Sequence, residues 1–202
     1  MISFDVVSLF TSIPVHLALE ITKERLHSDP TLHERTSLSV SNIMKLLKLV
    51  LNNNYFILQD TYHKQFFGCP MGSPVSAILA NIVMEHVEEI ALSTTPHPLK
   101  WWFRYVDNSN ACLHRKNLAE FHRHLNSINE HIQLTVEEES NGSISFLDTT
   151  VSRNDNGSIN TGIFRKATDT NKYLQFNSHH PTQHKRSVVR TLLDRAKNIP
   201  IN

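Results

Sequence analysis

Cysteine is nearly absent from this chain of 202 residues. Cys69 and Cys112 stand far apart and make neither a C-x-x-C pair nor a zinc-ligand spacing. That usage fits a reduced, intracellular compartment and ordinary core thiols better than a disulfide-stapled secreted fold. Excess charge is missing too: the formal net charge is +1, so overall composition gives no vote for a nucleic-acid partner, and any such signal must be local. There is no run of about 18 apolar residues and no charged-then-apolar leader, which argues against membrane spanning and secretion and for a nuclear or cytoplasmic protein. Internal repeats and low-complexity linkers are absent. The thirteen histidines form no H-E-x-x-H or Cys/His ligand pattern, and His179-His180 reads as a polar loop.

What the chain does have is 40% hydrophobic and 19% charged residues, enough for a buried core in one domain, or one domain with an appendage. It opens on Ile2-Ser3-Phe4-Asp5-Val6-Val7, a buried-strand pattern with no lead-in, as expected of a start inside a longer protein. Ser12 can cap a helix with Pro14 in its first turn, running to about Leu26 before Asp29-Pro30. From Ser39 or Ser41 a second helix carries Ile43, Leu46, Leu47, Val50 and Leu51 on one apolar, core-facing stripe. Tyr55–Leu58 and Tyr62–Phe67 flank Gln59-Asp60-Thr61 as a hairpin. It leads through Gly68–Pro74 into a long apolar segment, Val75 to about Leu92, whose small residues predict a buried helix packed closely on a sheet. A second hairpin pairs Lys100–Tyr105 with Ser109–Leu113 around Val106-Asp107-Asn108. Leu118, Phe121, Leu125 and Ile128 mark a further helix. Strands are expected over 133–136, 144–147 and 159–164, separated by Asn141-Gly142 and Asn156-Gly157. The mixture lacks strict βαβ alternation, so the class is α+β.

The local basic signal lies at the end. From Arg165 to Lys197 there are eight Lys or Arg against two Asp, and a helix from about Thr182 would carry Lys185, Arg186, Arg190 and Arg195 on neighbouring turns. The chemical signal is a possible carboxylate pair, Asp5 on the first strand and Asp107 at a hairpin tip. Paired carboxylates suit a hard divalent cation that keeps waters and substrate phosphates in its shell. By residue type alone, each of these positions also has a plain reading: a strand-end cap for an aspartate, a core aromatic for Phe10, helix-entry residues for Gly72 and Ser73, a solvated face for a lysine.

Five segments in order change the weighing. Phe4-Asp5-Val6-Val7-Ser8-Leu9-Phe10-Thr11-Ser12-Ile13-Pro14 resembles the first catalytic motif of reverse transcriptases in the form typical of Penelope-like retroelements. Gly68-Cys69-Pro70-Met71-Gly72-Ser73-Pro74-Val75-Ser76 resembles the family's template and nucleotide-positioning loop, and Arg104-Tyr105-Val106-Asp107-Asn108 its Tyr-x-Asp-Asp turn. Ser145-Phe146-Leu147-Asp148 and Phe164–Leu174 resemble its later palm and primer-contact segments. The resemblance covers nearly the whole chain. It implies a polymerase palm, an antiparallel sheet backed by helices, over 1–175, and the start of a basic helical thumb over 176–202. The implied reaction adds a deoxynucleotide from a dNTP to the primer 3′ end of a primer–template, with two Mg²⁺ or Mn²⁺ ions. Asp5, Asp107 and the Val6 carbonyl would hold metal, with Asn108 completing the catalytic turn. Phe10 would be the gate beneath the sugar, Gly72 and Ser73 would admit the nucleotide, and Tyr105, Arg165, Lys166, Lys172, Lys185 and Arg186 would contact nucleic acid.

Two departures temper that expectation. The family turn ends in two aspartates, whereas position 108 is Asn, so one full charge is missing and polymerisation should be impaired or absent. The family also carries fingers before the first motif and often an endonuclease segment after the thumb, so the chain reads as a fragment. A metal-independent nucleic-acid-binding remnant using the basic C-terminal segment is the alternative.

Overall fold

The computed structural model describes residues 1–170 and 172–199; Asn171, within the 164–174 motif, and residues 200–202 lie outside it. Its centre is a four-stranded antiparallel sheet. The first strand, β1 (Ile2–Val6), runs between β5 (Asn108–Cys112) and β6 (Leu134–Glu138), and β4 (Trp101–Tyr105) forms the edge beyond β5. Side chains alternate across a strand. Phe4 and Val6 therefore turn inward and are buried, while Asp5 points to the other face and is exposed. Phe4 packs against the rings of Trp102 and Phe121, with centroids 5.5 and 5.9 Å away.

Helices cover the inward face. The chain leaves β1 through Ser8, in the left-handed region at φ 50°, makes the single turn α1 (Leu9–Ser12), and enters α2 (Val15–Ser28). Ser12 does not cap α2 as the sequence suggests. It ends α1 with its hydroxyl donating to the Val7 carbonyl, and Pro14 occupies the cap position instead. After the short α3 (Leu32–Arg35), α4 (Val40–Asn52) is capped by Ser39, whose side chain accepts from Asn42 N at 3.3 Å. The apolar stripe expected to be core is mostly not. Met44 and Leu51 are buried, whereas Leu46 and Val50 are exposed, because α4 packs on α2 along one narrow edge and nothing covers its outer side.

The hairpin of β2 (Tyr55–Leu58) and β3 (Thr61–Lys64) turns through Gln59 and Asp60, both at positive φ, and all eight strand residues are exposed. It leads to α5 (Pro74–Thr94), whose Leu79, Ala80, Val83, Met84, Val87 and Ala91 are buried. The small residues of α5 admit α2 closely, so its tight partner is that helix, with the sheet contacted through longer side chains. Gly68 is required by this junction. At φ +76°, an added Cβ would sit 2.5 Å from the Thr11 carbonyl oxygen. The amphipathic α6 (Leu118–Ser127) completes the layer with Leu118, Phe121 and Leu125.

A second antiparallel sheet orders β7 (Ser143–Phe146), β8 (Thr149–Arg153) and β9 (Ile159–Ile163). The sequence reading has no strand at β8, a polar run rich in β-branched residues, and extends the 144–147 strand one residue too far. Leu147 instead begins a two-residue turn at φ 55°. The chain then reaches α7 (Thr182–Asn198), where helix is expected, and α7 buries no residue. The α+β class follows from this arrangement. No helix among the described residues is long and apolar enough to cross a membrane.

Candidate active site

The backbone register assembles the site. In the β4–β5–β1–β6 order, Tyr105 pairs with Asn108, Asn108 with Asp5, and Asp5 with Thr135, so four side chains form one row across the face away from the helices. Asn108 therefore belongs to a strand rather than to the hairpin tip, which consists of Val106 and Asp107. Asp107 is fastened against the end of β1: Val6 N donates to its carbonyl at 3.0 Å, and Asn108 Nδ2 donates to its Oδ1 at 3.0 Å. Val106 holds φ 56°, costly for a β-branched residue at about 1–3 kcal/mol.

Electrostatics agree with this geometry. Although Asp5 is exposed, partial loss of water around its carboxyl raises it above its ordinary range, the Asp107 charge raises it further, and Lys166 opposes both. Asp5 and Lys166 border an open groove of roughly 580 Å³ between the two sheets, lined also by Tyr105, Asn108, Thr135 and Asp148 among others. The structure thus gathers Asp5, Asp107, Asn108, Tyr105 and Lys166. Thr135 and Glu137, which the motifs do not include, enter the same surroundings through strand pairing, and Asp148, which ends the Ser145–Asp148 motif without a role assigned to it, does so through the β7–β8 turn.

The remaining candidates sit in two other groups. Phe10 is half-buried against the core, and its carbonyl accepts from Cys69 N at 2.6 Å, which ties it to the loop bearing Gly72, at φ +87°, and Ser73, the cap residue of α5. Cys69 itself is buried, and that burial pushes its thiol up to about 11. In the basic segment, Arg165 reaches Asp169 at 4.0 Å, and Lys172 and Arg186 are exposed. The Lys185 ammonium donates to the carbonyls of Phe176 and Ser178 at 2.6 and 2.5 Å, so it braces the preceding loop.

Among the described residues no group of three or more His, Cys, Asp or Glu gathers to hold a metal. The mutual repulsion of Asp5 and Asp107 is what a cation would relieve, and one Mg²⁺-like ion needs only one or two carboxylates when waters and phosphates fill its shell. The pair is compatible with one such ion, which Asp5 and Asp107 would hold.

Comparison with solved structures adds the fold. Telomerase from Candida albicans, in a complex with the TWJ fragment of telomeric RNA, superposes with a TM-score of 0.62 over 95% of this chain and 33% of that one, at 13% identity. The chain shares its fold with that part of the telomerase. The chain spans one third of the telomerase's length, and at this identity the likeness is one of fold alone. Residues 172–202 match the family model of the animal helix-turn-helix domain. No curated protein matches the chain.

Proposed function

We propose that this chain is the palm and thumb start of an RNA-directed DNA polymerase of the Penelope-like type, impaired by Asn108. The observation that carries the reading is the Tyr105–Asn108–Asp5–Thr135 row with Asp107 fastened beside it, on a fold shared with a telomerase. In this reading residues 1–175 form the palm and 176–202 begin the thumb. Asp5 and Asp107 would hold the divalent ion, Mg²⁺ or Mn²⁺, with the Val6 carbonyl as a further oxygen. A bound ion supplies the charge that stabilises the attacking and leaving oxygens in phosphoryl transfer.

The protein's own groups divide the remaining tasks. Tyr105, exposed in the row beside Asn108, offers a ring face to the primer end. Lys166 faces Asp5 across the groove and would take a backbone phosphate. Phe10, behind the Gly72–Ser73 loop, would set the limit on the nucleotide sugar. Asn108 lacks the second negative charge of the family turn, and the nitrogen it turns to Asp107 cannot ligate a cation. A second ion, which the full reaction calls for, would therefore be held weakly.

Primer extension on poly-rA with oligo-dT, in Mg²⁺ or Mn²⁺, tests this directly with the native chain, Asn108→Asp and Asp5→Ala. Weak native extension, a gain in Asn108→Asp and loss in Asp5→Ala are expected. Silence from the native chain and Asn108→Asp alike would sink the polymerase reading. The match of residues 172–202 to a helix-turn-helix model favours one other reading, a metal-independent nucleic-acid binder. That protein would bind equally well in EDTA and lose affinity steeply with salt.

A further inference from the structure

One buried charged cluster lies directly behind the carboxylate row, on the helix side of the sheet. Glu88 of α5 is almost fully buried, and its Oε1 accepts from Trp102 Nε1 and from Arg104 Nε, both at 2.8 Å. The Arg104 guanidinium then reaches two more acceptors, the Asn81 Oδ1 at 3.0 Å and the Val106 carbonyl at 3.1 Å. Asn81 passes the connection along α5 by donating to Glu85 Oε1 at 2.6 Å.

Stability alone does not account for such a cluster. A buried ion pair contributes little net, since losing water offsets most of the attraction, and an apolar pair would fill the same space. What a guanidinium does that no apolar or ammonium group can is hold three acceptors at once in one rigid plane. Two of those acceptors, Glu88 and Asn81, belong to α5. The third is the carbonyl of the one residue at positive φ in the hairpin tip, adjacent to Asp107. A positive φ at the first of two turn residues and not the second is the type II′ pattern, normally given to glycine. Valine there resists it.

We propose that Arg104, anchored by Glu88 and Asn81, is the positioning residue of the site: it clamps the Val106 carbonyl and thereby keeps Asp107 beside Asp5. The inference rests on the carboxylate-pair reading of the site and extends it to a device that couples α5, the helix following the Gly72–Ser73 loop, to the position of Asp107. It requires neither bound metal nor polymerase activity, so it is testable on the chain by itself. Arg104→Lys keeps a positive charge beside Glu88 but removes the fork, which separates clamping from charge neutralisation.

The experiment is a ¹³C-carboxyl NMR titration of Asp5 in the full chain without metal, comparing native protein, Asp107→Asn, Arg104→Lys and Arg104→Lys with Val106→Gly. Lys166 is retained throughout. Asp107→Asn is the control for the site itself and should lower the Asp5 midpoint. Should it leave the midpoint unchanged, the two carboxylates do not interact, and both the site reading and the clamp fall. With that control positive, Arg104→Lys should lower the midpoint in the same direction. Val106→Gly should restore it, because glycine adopts the turn without a clamp. A native-like midpoint in Arg104→Lys overturns the clamp while leaving the site reading intact, and so does a lowered midpoint that Val106→Gly fails to restore. If Arg104→Lys loses cooperative melting, Asn81→Ala, which removes one exposed acceptor, decides the matter: a partial fall supports the clamp and an unchanged midpoint overturns it.

Discussion

At the scale of single residues, Asp5 works against the fold that carries it. Partial loss of water and the Asp107 charge raise its carboxyl above the ordinary value, and Lys166 only partly opposes them. For an acid, a raised folded-state value means that ionisation is harder in the folded chain, so the penalty is present at neutral pH. It disappears below the ordinary carboxylate range, where both states are protonated. Asp5→Asn should therefore raise the melting temperature at pH 7, and the gain should vanish in acid; a loss of stability at pH 7 would contradict this account. Asn108→Asp moves in the opposite direction by placing a third carboxylate beside the pair. The metal-free variant should melt lower than native at pH 7. Mn²⁺ should raise its melting temperature more than that of the native chain, since a ligand that binds only the folded state stabilises it.

Among the elements, α2 and α5 are joined by a charged tie at the edge of their apolar contact. The carboxyl of Glu85 on α5 is held below its ordinary value, first by the hydrogen bond from Arg25 of α2, with burial opposing and the charges of Arg25 and Arg104 assisting. Here the linkage is reversed. The stabilisation is present above the ordinary carboxylate value and is lost as pH falls through the lowered one. Both partners are about two-fifths exposed, so solvent screening limits the effect to roughly 0.2–1 kcal/mol. Glu85→Gln should cost that much by urea denaturation at pH 7 and nothing in strong acid. The hairpin and α4 show a different use of apolar residues. Tyr55, Phe56, Ile57, Leu58 and Tyr62 are exposed on a two-stranded ribbon, together with Leu46, Leu49 and Val50 of α4. A two-stranded hairpin is marginal by itself. The periodicity of α4 correctly announces an apolar stripe and leaves open whether anything packs against it.

For the whole molecule, the helical layer and four-stranded sheet form the core, while α7 is attached by surface contacts. Arg195 pairs with Asp148 at 2.6 Å with both side chains about half exposed, a contact that salt weakens. Arg186, Arg190 and Lys197 of α7 are exposed along the helix. If this helix meets nucleic acid, replacing Arg186 and Arg190 by Glu should weaken binding to all sequences alike. It should also flatten the dependence of log affinity on log salt by roughly 1–2. An unchanged slope would place the phosphate contacts elsewhere.

Much of this was legible beforehand. The apolar residues flanking Asp5, the helix starts near Ser39 and, to within one residue, at Val75, the Asn-Gly turns and the basic terminal helix are local signals, set by period, capping and turn chemistry within a few residues. The ordered motifs also singled out Asp5, Asp107 and Tyr105. Only tertiary structure decided which strand lies beside which, and with it the row that puts Asp5 between Asn108 and Thr135. The same holds for the exposure of the outer side of α4 and for the reach of Arg104 from Glu88 to the Val106 carbonyl. Side-chain period fixes which face a residue occupies, but pairing between strands more than a hundred positions apart depends on how the helices pack beneath them, which no local pattern encodes.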